Sequence, residues 1–196
     1  MNSPKTVRFQ ARNGKAAECG KCRKPIAKGD RYTFVYQGFR GAKLVRCTDY
    51  ACAFKRSEYT SSKLAGVYAA SEDGHERIDG LTATDLASIR EDLETILSEV
   101  AEAWREVAEE YEEAADAMGE GFGDQMTEKA EAINSAADTL EGESVDVDEH
   151  DGCEKHTEAT EIATDCEDCS SLQAEVIEAA KDQAREAIDN AESEIG

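Results

Sequence analysis

The charges of this chain are segregated along its length, and that segregation rules out a single evenly mixed domain. Residues 1–70 hold 15 Lys and Arg against 4 Asp and Glu, a net of +11. Residues 71–196 hold 7 against 40, a net of −33, and the two parts together make the formal charge of −22. Both prolines, Pro4 and Pro25, and four of the seven cysteines fall in the basic part, while the acidic part is dominated by Ala, Glu and Asp. A shift this abrupt marks a boundary. Gly74 and Gly80 bracket a polar stretch there, so the sequence predicts a basic head at 1–70, a linker at 71–81 and an acidic body at 82–196.

The head carries the strongest chemical signal. Cys19-Gly20-Lys21-Cys22 has the two-residue gap that turns two thiolates onto one tetrahedral ion, with Gly20 giving the bend its backbone freedom. Cys47 and Cys52 supply a second pair, spaced by four residues, at the wide end of the usual ligand gap. Between the pairs, the run from Arg31 to Tyr36 alternates as a strand does, Gly38 and Gly41 offer a turn, and Ala42 to Arg46 returns toward Cys47. Knuckle, hairpin and second pair make the layout of a zinc-ribbon or treble-clef module, with one zinc on four thiolates. No apolar signal segment follows Met1, which predicts a chain that is not secreted and cysteines that stay reduced.

Cations crowd the same region. Lys21, Arg23, Lys24, Arg31, Arg40, Lys43 and Arg46 form the electrostatic footprint of phosphate binding and are the candidate nucleic-acid contacts. Tyr32, Phe34 and Tyr36 share one strand face. A module this small needs them as core beneath the zinc site, although the same face is able to stack unpaired bases.

No proline follows Pro25, so nothing in the body interrupts a helix. Apolar residues from Leu86 through Leu93, Leu97, Val100, Trp104 and Tyr111 to Met118 recur at three- and four-residue steps. Further stripes fall at 124–140, with Phe122 and Met126 on the apolar side, and from Ser170 onward. The expected fold class is therefore α+β: a small zinc-ribbon or treble-clef head followed by an acidic all-α hairpin or bundle, with Trp104 and the methionines in its seam. Such a body offers self-association or a protein partner. No apolar run is long enough to span a bilayer.

A second metal site is expected at 153–169. Cys153 and His156, then Cys166 and Cys169, each have a two-residue gap and supply three thiolates and an imidazole. This uses every cysteine in the chain and predicts two zinc ions, with His150 a rival to His156 as ligand. His75 has no cysteine near it and is expected in the solvated linker. Both ligand sets count to four, whereas catalytic zinc keeps an open position. With no phosphate loop or nucleophile elbow either, an enzyme is not expected.

The segments Lys5 to Phe9, Cys19 to Cys22, Ile26, Gly29 to Tyr32 and Ser57 to Ala70 together resemble small zinc-motif proteins of tailed viruses, chiefly actinobacterial phages. That resemblance implies a zinc-ribbon head, an acidic helical tail and a place in the host cytoplasm or the virion. The scarcity of lysine in the body, Lys129, Lys155 and Lys181 only, is also similar to proteins of saturated-salt cytoplasm and admits a virus of halophilic archaea. The leading expectation is a non-enzymatic viral zinc protein whose head contacts nucleic acid and whose body oligomerises or docks. The alternative is a minor structural protein, or an acidic decoy of a host nucleic-acid-binding protein.

Overall fold

A computed structural model describes residues 4–8, 17–36, 42–82, 86–118, 121–145, 147 and 167–195. The chain is mixed α+β and divides into two compact units, Met1–Ala69 and Ala70–Gly196.

The first unit is built on short strands. β1 (Lys5–Arg8), β4 (Arg31–Tyr36) and β5 (Lys43–Cys47) form an antiparallel sheet in the order β1-β4-β5, and β2 (Ala17–Glu18) pairs with β3 (Pro25–Ile26) in a separate ribbon. The turn from β3 into β4 follows from local chemistry. Gly29 takes a φ of +96°, and the Asp30 carboxylate accepts the Ala27 N–H at 2.8 Å, closing the turn on its own side chain. Cross-strand register places Tyr32 opposite Cys47 and Phe34 opposite Val45. Alternation therefore puts Tyr32, Phe34, Tyr36 and Cys47 on one face and Thr33, Val35 and Arg46 on the other. The buried side chains of this unit include Ile26, Tyr32, Val35, Leu64, Val67 and Tyr68. A one-turn helix, α1 (Arg56–Tyr59), precedes α2 (Leu64–Gly80).

α2 replaces the expected linker: residues 71–80 are helical throughout. Ser71, Gly74 and Ile78 lie at helical spacing and are all buried, so a stretch that reads as polar carries a packing face of two small residues and an isoleucine. Gly74 is there for close approach. A methyl group in its place would come within 2.7 Å of Val100 Cγ2 and 3.1 Å of Ile188 Cδ1. His75, expected in solvent, stands on the same helix with its Nε2 buried and 3.5 Å from the Asp189 carboxylate.

The second unit continues with α3 (Leu86–Ala117), α4 (Phe122–Gly142) and α5 (Glu167–Ile195). α3 contributes bulk, with Ile89, Leu93, Leu97, Val100, Trp104 and Tyr111 buried. α4 and α5 contribute mainly small side chains, Ala130, Ala136, Ala137, Ala180, Ala184 and Ala191, among Ile133, Leu140, Ile177 and Ile188. Large residues on one helix against small ones on its neighbours let the helix axes approach closely without voids. Gly123 pairs α4 with α3 near the hairpin turn, its Cα so close that a Cβ would lie 3.1 Å from the Ala115 carbonyl. Because Gly123 faces α3, its neighbour Phe122 points elsewhere and is 68 % exposed; Met118 is 48 % exposed. Trp104 thus belongs to the seam as expected, and Met118 does not.

Among the described residues, five cations of this unit join elements together. Arg105 bridges α3 to Asp138 and Glu141 of α4, Arg77 of α2 pairs with Glu99 of α3, and Arg185 of α5 reaches Asp79 of α2 at 2.7 Å. Lys181 donates to the Leu81 carbonyl beyond the end of α2 at 3.0 Å, and Arg90 donates to the Val147 carbonyl at 3.2 Å.

Two outcomes follow for the helical unit. Gly74→Val should destabilise it by about 1–3 kcal/mol through overpacking, read as an earlier denaturant midpoint by helical circular dichroism or Trp104 fluorescence. Added salt should raise the same midpoint, because screening weakens carboxylate repulsion over a Debye length of about 10 Å at 0.1 M.

Candidate metal centre

Three local structures bring the four head cysteines together. The first is the β2–β3 knuckle. Cys19 N–H donates to the Lys24 carbonyl at 2.9 Å and Arg23 N–H returns to the Cys19 carbonyl at 3.0 Å, wrapping the backbone around the two sulfurs. Arg23 closes the loop with a φ of +62°, a conformation that costs a non-glycine residue free energy. The second is a tie between knuckle and sheet. Gly20 N–H donates to the Val45 carbonyl at 2.8 Å, and a Cβ on Gly20 would lie 3.2 Å from that oxygen. Glycine lets the knuckle lie this close to β5, which ends in Cys47, without pushing the Val45 carbonyl aside. The third is a 3-10 turn, Tyr50–Cys52, that takes up the wide gap of the second pair. Asp49 caps it by accepting the Ala51 N–H at 3.1 Å, and Cys52 N–H donates to the Asp49 carbonyl at 2.9 Å. The four-residue spacing is thereby folded back so that Cys52 faces Cys47.

The sulfurs of Cys19, Cys22, Cys47 and Cys52 all lie within 4.8 Å of one another, and those of Cys22 and Cys47 are 3.7 Å apart. Sulfurs about 2.3 Å from a tetrahedral ion would be separated by about 3.8 Å. The cluster therefore has the size and donor set to hold a metal ion, and a donor set of four sulfurs suits zinc or iron. Cys19 and Cys52 are buried, Cys22 is exposed and Cys47 half-buried.

Ionisation within the cluster is uneven. Burial opposes a charge on Cys19, but hydrogen bonds from the backbone of Cys22, Cys47 and Lys21 outweigh it and lower its pKa to about 6. Burial and the neighbouring thiols of Cys22, Cys47 and Cys19 push Cys52 up to about 12. At Cys47 the backbone of Asp49 favours the thiolate, yet burial and the Cys22 and Cys19 thiols leave its pKa raised. A bound cation would favour the thiolate form that burial opposes at Cys47 and Cys52.

A ring of contacts braces the ligand loops. The Arg46 guanidinium makes a two-pronged ion pair with Glu58, donates to the Ala53 carbonyl at 2.8 Å and lies 4.4 Å above the Phe54 ring. Glu58 also accepts the Lys55 N–H at 2.8 Å, which caps α1. Burial would raise the Glu58 pKa, but the Arg46 hydrogen bonds prevail and hold it below the usual carboxylate range. Lys43 donates to the Tyr32 hydroxyl at 2.8 Å and lies 4.0 Å above the Phe34 ring. Phe34 in turn packs 5.9 Å from Tyr32 and edge-on to Tyr36 at 5.6 Å.

The expected phosphate contacts therefore separate into two groups. Arg46 is 12 % exposed and Lys43 is engaged with aromatic rings, so both brace the head. Lys21, Arg23, Lys24 and Arg31 are exposed, and of these Lys24 makes a solvent-facing pair with Asp49 at 3.6 Å. Arg40 lies outside the described residues, as do Cys153, His156, Cys166 and the rival His150. Cys169 falls in the first turn of α5. Sequence reasoning missed Asp49 and Glu58. Asp49 heading a short turn and the Lys55 to Glu58 capping-box spacing were the local signals available for them. Comparison with protein-family models, with curated proteins and with solved structures gave no match for this chain.

Elemental analysis should find one firmly held ion on the head cluster, lost on Cys19→Ser or Cys52→Ser, and a second ion lost on Cys166→Ser with Cys169→Ser. Metal affinity should fall as pH falls, because Cys47 and Cys52 enter the complex by releasing protons. Calorimetry in buffers of different ionisation enthalpy should show protons released on metal binding to the head near neutral pH, with Cys47 and Cys52 as their source.

Proposed function

We propose that the chain is a non-enzymatic zinc protein: its head is a zinc-ribbon or treble-clef-like module that contacts nucleic acid, and its acidic helical unit mediates oligomerisation or docking. The observation that carries this reading is the knuckle itself. The loop that supplies Cys19 and Cys22 also presents Lys21, Arg23 and Lys24 at the surface, so metal binding would fix three cations on a rigid turn. Four thiolates fill a tetrahedral zinc shell and leave no position for a reacting water, which supports a structural role. Zinc is the favoured ion because it has no redox chemistry that an exposed ligand such as Cys22 would have to survive. The resemblance to tailed-virus zinc-motif proteins supports a viral setting, in the host cytoplasm or the virion. For the helical unit, exposed Met118 and Phe122 near the α3–α4 turn support a docking role.

The test is nucleic-acid binding by the zinc-loaded chain. Lys21→Glu, Lys24→Glu and Arg23→Asn together should remove most of the affinity while leaving zinc content unchanged, since none is a ligand and Asn tolerates the left-handed backbone at position 23. The slope of log affinity against log salt should fall by about two to three. If the zinc-loaded chain holds neither DNA nor RNA at any salt concentration, the nucleic-acid reading fails and the cations are better explained as a dock for an acidic protein surface.

A further inference from the structure

On the sheet face opposite the aromatic ladder, a cleft of about 410 Å³ opens beside the second ligand loop. Thr6 and Thr33 line it from β1 and β4, Arg31 from the start of β4, and Thr48, Asp49 and Tyr50 from the loop between Cys47 and Cys52. Its volume lies in the range of small-molecule sites. Its chemistry is uneven in a useful way, with an exposed guanidinium and hydroxyl groups toward the strands and an aromatic ring with a carboxylate on the loop.

Tyr50 needs an explanation of its own. It is 95 % exposed, yet the loop that carries it is fixed by the Asp49 cap and by Cys52. A large ring left in water on a fixed stretch of backbone buries almost nothing and adds little to folding. An open π-face beside a cation and hydroxyls is how proteins receive an unpaired base and its phosphate.

We infer that this cleft holds one unpaired nucleotide of a single-stranded nucleic acid, an inference that rests on the nucleic-acid reading above and names a subsite within it. Arg31 and the Thr6 and Thr33 hydroxyls take the phosphate. Tyr50 stacks on the base, and the Asp49 carboxylate, whose charge is offset by Lys24 at 3.6 Å, accepts an N–H from the base edge. A base inside a duplex cannot offer its face to Tyr50, so the site selects single strands. The knuckle cations contact phosphates without regard to strandedness and add to the affinity for both forms.

Fluorescence anisotropy of the full-length, zinc-loaded chain with labelled oligothymidylate and with a duplex of equal length tests this. Tyr50→Ala should weaken single-strand binding about tenfold, the loss of one stacked base, and leave duplex binding unchanged. Tyr50→Phe should bind as the parent chain does, and Arg31→Ala should weaken the single strand more than the duplex. Zinc content measured on each variant confirms that the ligand loop is intact. Single-strand binding that is unaffected by Tyr50→Ala and Arg31→Ala, yet lost with the knuckle cations, overturns the cleft and leaves the broader reading standing. Capture of a polyglutamate peptide in preference to either oligonucleotide overturns both.

Discussion

Negative charge held at close quarters is the constraint that both units of this protein must satisfy. In the head it takes the form of four cysteine sulfurs within 4.8 Å, where backbone hydrogen bonds ease the ionisation of Cys19 against its burial, while burial and the neighbouring thiols oppose that of Cys52. In the helical unit it takes the form of 40 carboxylates against seven cations in residues 71–196. The two solutions differ. A cation bound by the cluster would let all four sulfurs ionise together, and the stability of so small a module would then depend on it. The helices instead rely on an apolar seam, and Arg77, Arg105 and Arg185 sit where they join one element to another.

This placement of cations explains why charge counts alone describe the molecule poorly. Exposed ion pairs are individually worth little. A guanidinium that bridges two helices in a strongly acidic unit also lowers the local repulsion those helices would otherwise feel. In the head the same residue type has two separate uses. Arg46 is drawn inward to hold Glu58, the Ala53 carbonyl and the Phe54 ring around the ligand loops, whereas Arg23 and Arg31 remain at the surface. The proposed binding surface is the remainder after structural demands are met, and it is smaller than the full set of basic residues.

Much of this architecture was legible in the residues. The head cysteines announced their convergence because the two-residue gap of Cys19 and Cys22 has little other structural use and Cys47 and Cys52 repeat a ligand-range spacing, and the long stripe from Leu86 announced α3 because helical periodicity persisted over many turns. Residues 71–80 were misread for a definite reason. Gly74 looks like a helix breaker in one dimension, but the helix keeps it because Val100 and Ile188 leave no room for a side chain. Phe122 and Met118 fit the apolar pattern, yet Gly123 is the residue that meets α3, which leaves Phe122 exposed.

What the sequence determined by itself was therefore everything set by local spacing: the pairing of the head cysteines, the strand alternation from Arg31 to Tyr36, the helical stripes and the division of charge. What only the tertiary structure decided was the partner of each long side chain. Arg46 and Arg31 carry the same charge in the same strand pair, and nothing in one dimension assigns one to Glu58 and the other to an open cleft. Their fates differ because Glu58, twelve residues beyond Arg46, is brought back by the ligand loop and α1, and no repeating pattern along a chain encodes contacts made across a loop closure.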